Sequence, residues 1–404
     1  MNETPRGSRM HIALFGRRNA GKSSLINALT NQDLAIVSPV AGTTTDPVYK
    51  SMEILPIGPV VLIDTAGLDD EGELGQKRVA KSMAVLAKAD LVLLVIDPRQ
   101  GTGATELKLV ETAQRQQLPV IAVLNKTDLF TEIPPRPNLP PDIPVVTTST
   151  VTGQGIDKLK QLMVQVAPKD WAAPTIAGDL VPPGELALLV TPIDAAAPKG
   201  RLILPQVQTI RDLLDHDCLT MAVKENDLKR ALQMLAKPPA LVITDSQVFS
   251  QVDADTPRDI PLTSFSILFA RYKGDLATLV AGALAVEKLQ PGDRVLISEA
   301  CTHHRVTDDI GTVKIPRWLR QKVGGDLQLE WSSGIALPPD LERFKLIVHC
   351  GACMINRREM LSRILEARNA GVPIVNYGVL IAYILGILHR ALTPFPAALD
   401  VLKE

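Results

Sequence analysis

Aromatic residues are scarce in this 404-residue chain, at 3% of the total, which leaves little surface on which unpaired bases could stack. Charge of one sign is missing as well. Lys and Arg number 43 against 44 Asp and Glu, a formal net charge of -1, so no positive field would gather nucleic acid or an anionic membrane around the molecule. No segment has the pattern of a KH module. The longest apolar run, residues 377–388 (YGVLIAYILGIL), falls short of the roughly 20 residues that a bilayer span requires and reads as a buried helix. The opening residues MNETPRGSRM lack the charged-then-apolar order of a secretory signal. Cysteine is rare too: 4 residues are too few for a disulfide framework and suit a reducing cytosol with a metal or redox site. These absences point to a cytoplasmic protein with neither nucleic acid nor membrane among its partners.

The length is two to four times the usual domain size of about 100 to 200 residues, so three domains are expected. Residues 9–170 form the first. Gly16-Arg17-Arg18-Asn19-Ala20-Gly21-Lys22-Ser23 follows the apolar run 12–15 and precedes the helical pattern SSLINALT, which is the strand, loop and helix order that a phosphate loop needs. Backbone N–H groups from Gly16, Asn19, Ala20, Gly21 and Ser24 would cradle the phosphates, Lys22 would reach the β and γ phosphates, and the Ser23 hydroxyl would bind Mg. Asp64-Thr65-Ala66-Gly67 follows the strand VVLI, and Asn125-Lys126-Thr127-Asp128 follows PVIAVL. The carboxylate of Asp128 can accept from the N1–H and 2-amino edge of guanine, whereas adenine offers no such pair of donors. A site with polar groups so matched discriminates by roughly 10⁴ to 10⁵, so GTP is favoured over ATP. Thr148-Ser149-Thr150 would back the base. Gly42-Thr43-Thr44-Thr45-Asp46 lies where a threonine hydroxyl senses the γ phosphate through Mg; Thr44 is the first choice and Thr43 the reserve. Lys22, Thr44, Asp64 and Gly67 are therefore the expected catalytic set.

These motifs resemble the TrmE-Era-EngA group of GTPases. The resemblance implies that Asn19 holds a potassium ion beside the phosphates, in place of an arginine finger. Leu68 follows Gly67 where Ras-like enzymes carry their glutamine, so the water must be positioned from elsewhere, with Asp69, Asp70 and Glu71 as candidates.

The Pro-, Ala- and Gly-rich stretch AAPTIAGDLVPPGE reads as a linker. Residues 175–268 then alternate strand and helix patterns (LALLVTPI, ILPQVQTIRDLLDH, CLTMAV, ENDLKRALQMLAK, ALVITD) without a catalytic constellation, so this small α/β unit is expected to dimerise. Cys218 reads as a small buried hydrophobe.

Residues 269–404 alternate again, through LATLVAGALAVEKL, RVLISEA, FKLIVH, MINRREMLSRILEARNAG and PIVNYG. Cys301 and Cys350 each end a strand, and ligands of open α/β sheets bind at such ends. Cys350-Gly351-Ala352-Cys353 leads straight into a helix start, whose partial positive charge would lower the thiol pKa. Three thiolates leave a fourth position open to His303, His304, His349, a carboxylate such as Glu299, or a small molecule. Zinc and iron both suit this set, and a redox dithiol at Cys350 and Cys353 is a further possibility.

Cys301-Thr302-His303 followed by His349-Cys350-Gly351-Ala352-Cys353, behind a GTPase and a small middle domain, resembles the FeFe-hydrogenase maturation GTPases of the HydF family. The resemblance covers nearly the whole chain. It implies a homodimer through the middle domain, a 4Fe-4S cluster on Cys301, Cys350 and Cys353, and an exchangeable fourth position for which His303 and His349 carry over as candidates. It also implies a scaffold that receives a diiron precursor from radical-SAM maturases and delivers it to apo FeFe-hydrogenase. An RNA-directed GTPase with a structural zinc site is the alternative. A plain enzyme at the cysteines would lack an acid-base pair.

Overall fold

The computed structural model describes residues 6–30, 47–55, 57–68, 82–132, 134–168, 175–193, 202–300, 309–334 and 337–403. The chain divides into two compact units, residues 1–172 and 173–404. Among the described residues no helix is long and apolar enough to cross a membrane.

The first unit is built on a six-stranded sheet in the order β2-β3-β1-β4-β5-β6. Its strands are β1 (Met10–Phe15), β2 (Val48–Ile54), β3 (Gly58–Asp64), β4 (Leu91–Ile96), β5 (Val120–Leu124) and β6 (Val145–Thr147). All pairings are parallel except β2 with β3. β1, β4 and β5 are apolar along almost their whole length because helices cover both faces of a parallel sheet, and alternation is lost. Two separate buried clusters lie on the two faces, one around Phe15, Leu94 and Ala122, the other around Leu14, Leu93 and Ile121. Helices α1 (Lys22–Thr30), α2 (Ala104–Arg115) and α3 (Ile156–Val166) follow β1, β4 and β6.

The second unit holds two four-stranded sheets. The first has the order β10-β9-β7-β8, from β7 (Leu186–Val190), β8 (Leu219–Val223), β9 (Leu241–Thr244) and β10 (Leu262–Ser264). The other has the order β12-β11-β13-β14, from β11 (Arg294–Glu299), β12 (Gln328–Ser333), β13 (Leu346–His349) and β14 (Ile374–Asn376). Every pairing in both is parallel. The two sheets share one topology: the first strand is central, the second lies to one side of it, and the third and fourth lie to the other.

The helices knit the sheets together. α4 (Leu204–Asp215), α5 (Leu228–Met234) and α6 (Phe249–Asp255) belong to the first sheet, and α7 (Phe265–Lys273) and α8 (Leu276–Leu284) follow its last strand. α9 (Ile315–Val323) and α10 (Arg357–Asn369) belong to the other sheet, and α11 (Tyr377–Ile384), α12 (Leu388–Ala391) and α13 (Pro396–Asp400) follow its last strand. α8 packs on β14 and α12 packs on β10, so each sheet is covered by a helix from the other half. A single buried cluster therefore runs from Ile176 to Ala398 across both. The Pro- and Gly-rich stretch expected as a linker is part of this core. Ile176, Ala177 and Val181 are buried, and the Asp212 carboxylate accepts from the Ala177 and Gly178 N–H groups at 2.7 and 2.8 Å.

The two crossings where the halves meet leave no room for a Cβ. At Gly282 in α8 it would stand 1.9 Å from the Ile374 carbonyl oxygen, and at Gly378 in α11 it would stand 2.1 Å from the Ser266 Cβ. Neither glycine has a positive φ, so the requirement is for space. Gly282→Ala should lower unfolding stability by about 1–3 kcal/mol through overpacking against a backbone that cannot rotate away. A reduced urea midpoint at unchanged slope is the expected reading, and an unchanged midpoint would contradict this close approach.

Candidate functional site

In the first unit, β1 delivers the chain to Gly16 and α1 starts at Lys22, as the motif predicts. A Cβ at Gly16 would meet the Val95 carbonyl oxygen at 2.2 Å, and one at Gly21, where φ is +97°, would meet the Asn125 amide at 2.3 Å. Only glycine fits between these strand ends. Lys22 is buried, and its Nζ donates to the Gly16 and Arg17 carbonyls at 2.9 Å each, which curls the loop around the ammonium group. Ser23 Oγ donates to Asp64 Oδ2 at 2.6 Å. The other Asp64 oxygen is buried without a hydrogen-bond partner, and burial raises the carboxyl above its ordinary pKa against the opposing effects of Ser23 and Lys22. An orphaned carboxylate oxygen beside a hydroxyl is the donor chemistry that Mg takes, so the residues fit the ion. The Leu68 N–H donates to Gly16 O at 3.2 Å and ties the Asp64-Thr65-Ala66-Gly67 segment to the phosphate loop.

The residues expected to bind the base converge from β5 and β6. Asn125 is buried; its amide donates to Ala20 O at 3.2 Å and its carbonyl accepts from Thr148 Oγ1 at 3.2 Å. Ser149 Oγ donates to Asp128 Oδ1 at 2.6 Å and aims one oxygen, leaving the carboxylate exposed for a ligand. Lys126 Nζ donates to the Asn19 carbonyl and, at 3.0 Å, to Asp97 Oδ2. Asn19 is left-handed with φ +58° and its side chain is exposed. Ser24 lies in the first turn of α1, and Thr150 follows Ser149 in the loop after β6. Thr43, Thr44, Asp69, Asp70 and Glu71 lie outside the described residues.

Two supports of this site went unread in the sequence. Asp97, at the end of β4, binds Arg99 and Lys126; the Arg99 hydrogen bond, with help from Lys126, holds its carboxyl well below the usual range despite burial. Arg17 forms a two-pronged pair with the buried Glu106 at 2.7 and 3.0 Å, and Glu106 also accepts from the Gly103 N–H at 2.8 Å. Asp97 directly follows a buried strand and Glu106 sits in the first turn of α2, the only local signals available.

In the second unit, β11 and β13 run side by side and end together. The Cys350 N–H donates to Ser298 O at 2.9 Å, and the Ala300 N–H donates to Cys350 Sγ at 3.3 Å. Ala300 is the residue before Cys301. Cys301, His303 and His304 lie outside the described residues, and among the described residues no three His, Cys, Asp or Glu side chains gather as a metal site. The turn to Cys353 passes through Ala352 in the left-handed region, φ +55°.

Two expectations are corrected here. α10 starts at Arg357 behind an Asn356 cap, so Cys353 does not lead straight into a helix. Burial pushes the Cys350 thiol up, and the N–H groups of Ala300 and Ala352 with the Arg363 charge oppose this without reversing it. His349, a candidate ligand on spacing, is fully buried with both ring nitrogens engaged: Nδ1 faces the Cys350 carbonyl at 2.8 Å and Nε2 faces Arg363 Nη1 at 2.8 Å. A carbonyl only accepts and a guanidinium only donates, so Nδ1 carries the proton. Burial, then the Arg363 charge, lowers the imidazole pKa to about 4. Consecutive strand residues face opposite ways, so the His349 and Cys350 side chains leave the chain on opposite faces.

Glu299, beside Ala300, is buried and accepts from Tyr377 Oη at 3.4 Å. A Cβ at Gly311 would strike both groups, so the turn at 310–314 sits directly on them. Trp331 Nε1 donates to Gly311 O at 3.3 Å from the other side.

Comparison with known proteins matches residues 176–274 to the hydrogen maturase F dimerization domain and residues 277–394 to the hydrogen maturase F tetramerization domain. The chain belongs to the hydrogen maturase F family. Its two dedicated domains point to self-association, and the GTPase expected ahead of them is present: residues 11–126 match the 50S ribosome-binding GTPase model. The tRNA modification GTPase MnmE of Nitrosomonas europaea is 40% identical over 169 residues, 42% of this chain and 36% of that protein. MnmE of Picosynechococcus sp. is 32% identical over 249 residues, 60% of this chain and 51% of that protein. The chain thus spans about a third to a half of these relatives. Among solved structures, Aquifex aeolicus Era is 20% identical with a TM-score of 0.34, covering 53% of this chain and 93% of that one. The G domain of the T. maritima FeoB iron transporter is 27% identical with a TM-score of 0.29, covering 39% and 98%.

Proposed function

We propose that the chain is a GTP-hydrolysing scaffold that carries a 4Fe-4S cluster on Cys301, Cys350 and Cys353 and delivers a diiron precursor to apo FeFe-hydrogenase. Radical-SAM maturases would supply the precursor, and residues 175–268 would hold two copies together. The observation that carries this reading is the Ala300 N–H on Cys350 Sγ, which brings the residue before Cys301 against the second cysteine. N–H donors to sulfur favour the thiolate that a cluster needs, so the residues fit the group. When bound, the cluster supplies an iron whose fourth position can accept a bridging ligand. His349 is held away from that position, which leaves His303, His304, Glu299 or a small molecule to fill it.

In the first unit, Lys22 would leave its two carbonyls for the phosphates, while Ser23 and the free Asp64 oxygen hold Mg. Leu68 offers no side chain to orient water, so unaided turnover should be on the order of 10⁻³ s⁻¹ or less. The exposed Asn19 side chain is where potassium would bind.

Cys350→Ser should remove most iron and sulfide from anaerobically purified protein and abolish activation of an apo-hydrogenase, with GTP affinity intact. Lys22→Ala should do the reverse, losing GTP binding and keeping iron, and light scattering of both should show dimers. Zinc in place of iron, or loss of iron in Lys22→Ala with the fold preserved, would count against the reading.

GTP hydrolysis should speed up when potassium replaces sodium at equal ionic strength, and Asn19→Ala should remove the difference. Equal rates in the two salts would rule out the cation role.

A further inference from the structure

Among the described residues Arg363 is the largest fully enclosed side chain. It projects from α10 and divides its fork between a side chain and a backbone carbonyl. Nη1 donates to His349 Nε2 at 2.8 Å, and the His349 Nδ1–H in turn holds the Cys350 carbonyl at 2.8 Å. Nη2 donates to the Gly334 carbonyl at 2.6 Å, just beyond the end of β12. Gly334 itself donates to Glu299 O at 3.0 Å, so the end of β11 is tied into the same frame. One guanidinium thereby braces the ends of three adjacent strands, β12, β11 and β13, at the edge where the cysteines gather.

Charge is the second half of the observation. A guanidinium stays protonated, and enclosing it is costly unless negative charge lies close by. Glu359, one turn earlier on α10, brings Oε1 to 3.5 Å from Nη2, a loose ion pair rather than a two-pronged one. The Cys350 thiol also feels this cation, whose charge opposes the burial that pushes the thiol up.

We propose that Arg363 is a positioning residue of the cysteine site that also supplies its permanent positive charge: it fixes Cys350 through His349 and biases a bound cluster toward the reduced state. This rests on the cluster reading above. A fixed cation near a cluster stabilises the form with one more electron, and a nearby carboxylate does the opposite, so the two partners should act with opposite sign.

The test compares full-length wild type with Arg363→Met, Arg363→Lys and Glu359→Gln, all reconstituted with iron and sulfide under the same conditions. Each is titrated with dithionite and followed by electron paramagnetic resonance, alongside iron content and the melting of the metal-free protein. Arg363→Met should lower the midpoint potential, with about a tenfold loss of reduced cluster at fixed poise, equivalent to about 59 mV for one electron. Glu359→Gln should raise it. Arg363→Lys, which keeps the charge and loses the fork, should stay near the wild-type potential while retaining less iron. Should Arg363→Met not fold, the Lys and Gln variants still decide the matter. In an iron-loaded protein, a Glu359→Gln potential that falls or does not move, or an Arg363→Lys potential that shifts by as much as the roughly 59 mV expected for Arg363→Met, would overturn the proposal alone. An iron-free wild type would remove the cluster reading and this proposal with it.

Discussion

The second unit turns on one arrangement, the parallel pairing of β11 with β13 and the common edge at which both strands end. Parallel strands emit their chains on the same side, so residues separated by half a domain in sequence meet there without a special loop. The Cys350 N–H on Ser298 O extends the pairing by one residue past β13, and the Ala300 N–H on Cys350 Sγ uses the sulfur as the next acceptor. Sheet formation and thiol placement are thus one act. The same logic builds the first unit, where β1, β3, β5 and β6 release the phosphate loop, Asp64, the Asn125 segment and Ser149 at one edge.

Repetition of the strand order across the two sheets of the second unit has a structural price in room. Each half lends a helix to the other, α8 to β14 and α12 to β10, and the exchange brings backbones so close that Gly282 and Gly378 are required. Through this shared core the cysteine edge is braced by the half of the molecule that carries the dimerization domain. Asn376, which caps α11, also donates to Ser266 O at 3.1 Å across the same crossing.

Much of this was legible in the residues. The GTPase motifs were plain because each follows an apolar run, and Lys22, Ser23, Asp64, Asn125 and Ser149 do lie at or just past the ends of β1, β3, β5 and β6. The strands LALLV, RVLISE and LIVH were equally plain, being apolar runs bounded by polar residues. β12 was not, since QLEWSS is an edge strand with mixed exposure and no alternation that points to one buried face. The stretch around Ile176 looked like a linker because Pro and Gly dominate it, whereas its few apolar residues complete a core assembled from distant helices. The surroundings of His349 were hidden for a related reason: spacing beside cysteines says that a histidine is near them, and only the fold shows Arg363 facing its ring. Arg363 carries no motif at all. A buried cation on a helix is invisible until the opposite strand ends are known.

The central claim is that the strand-end cysteines hold iron and sulfide with one position left open by the protein. Mössbauer spectroscopy of ⁵⁷Fe-enriched, anaerobically isolated full-length chain reads this directly. The account predicts a 4Fe-4S spectrum in which one iron differs from the other three and responds to an added small-molecule ligand. Four equivalent irons indifferent to added ligand, or a protein that binds zinc and no iron, would contradict it.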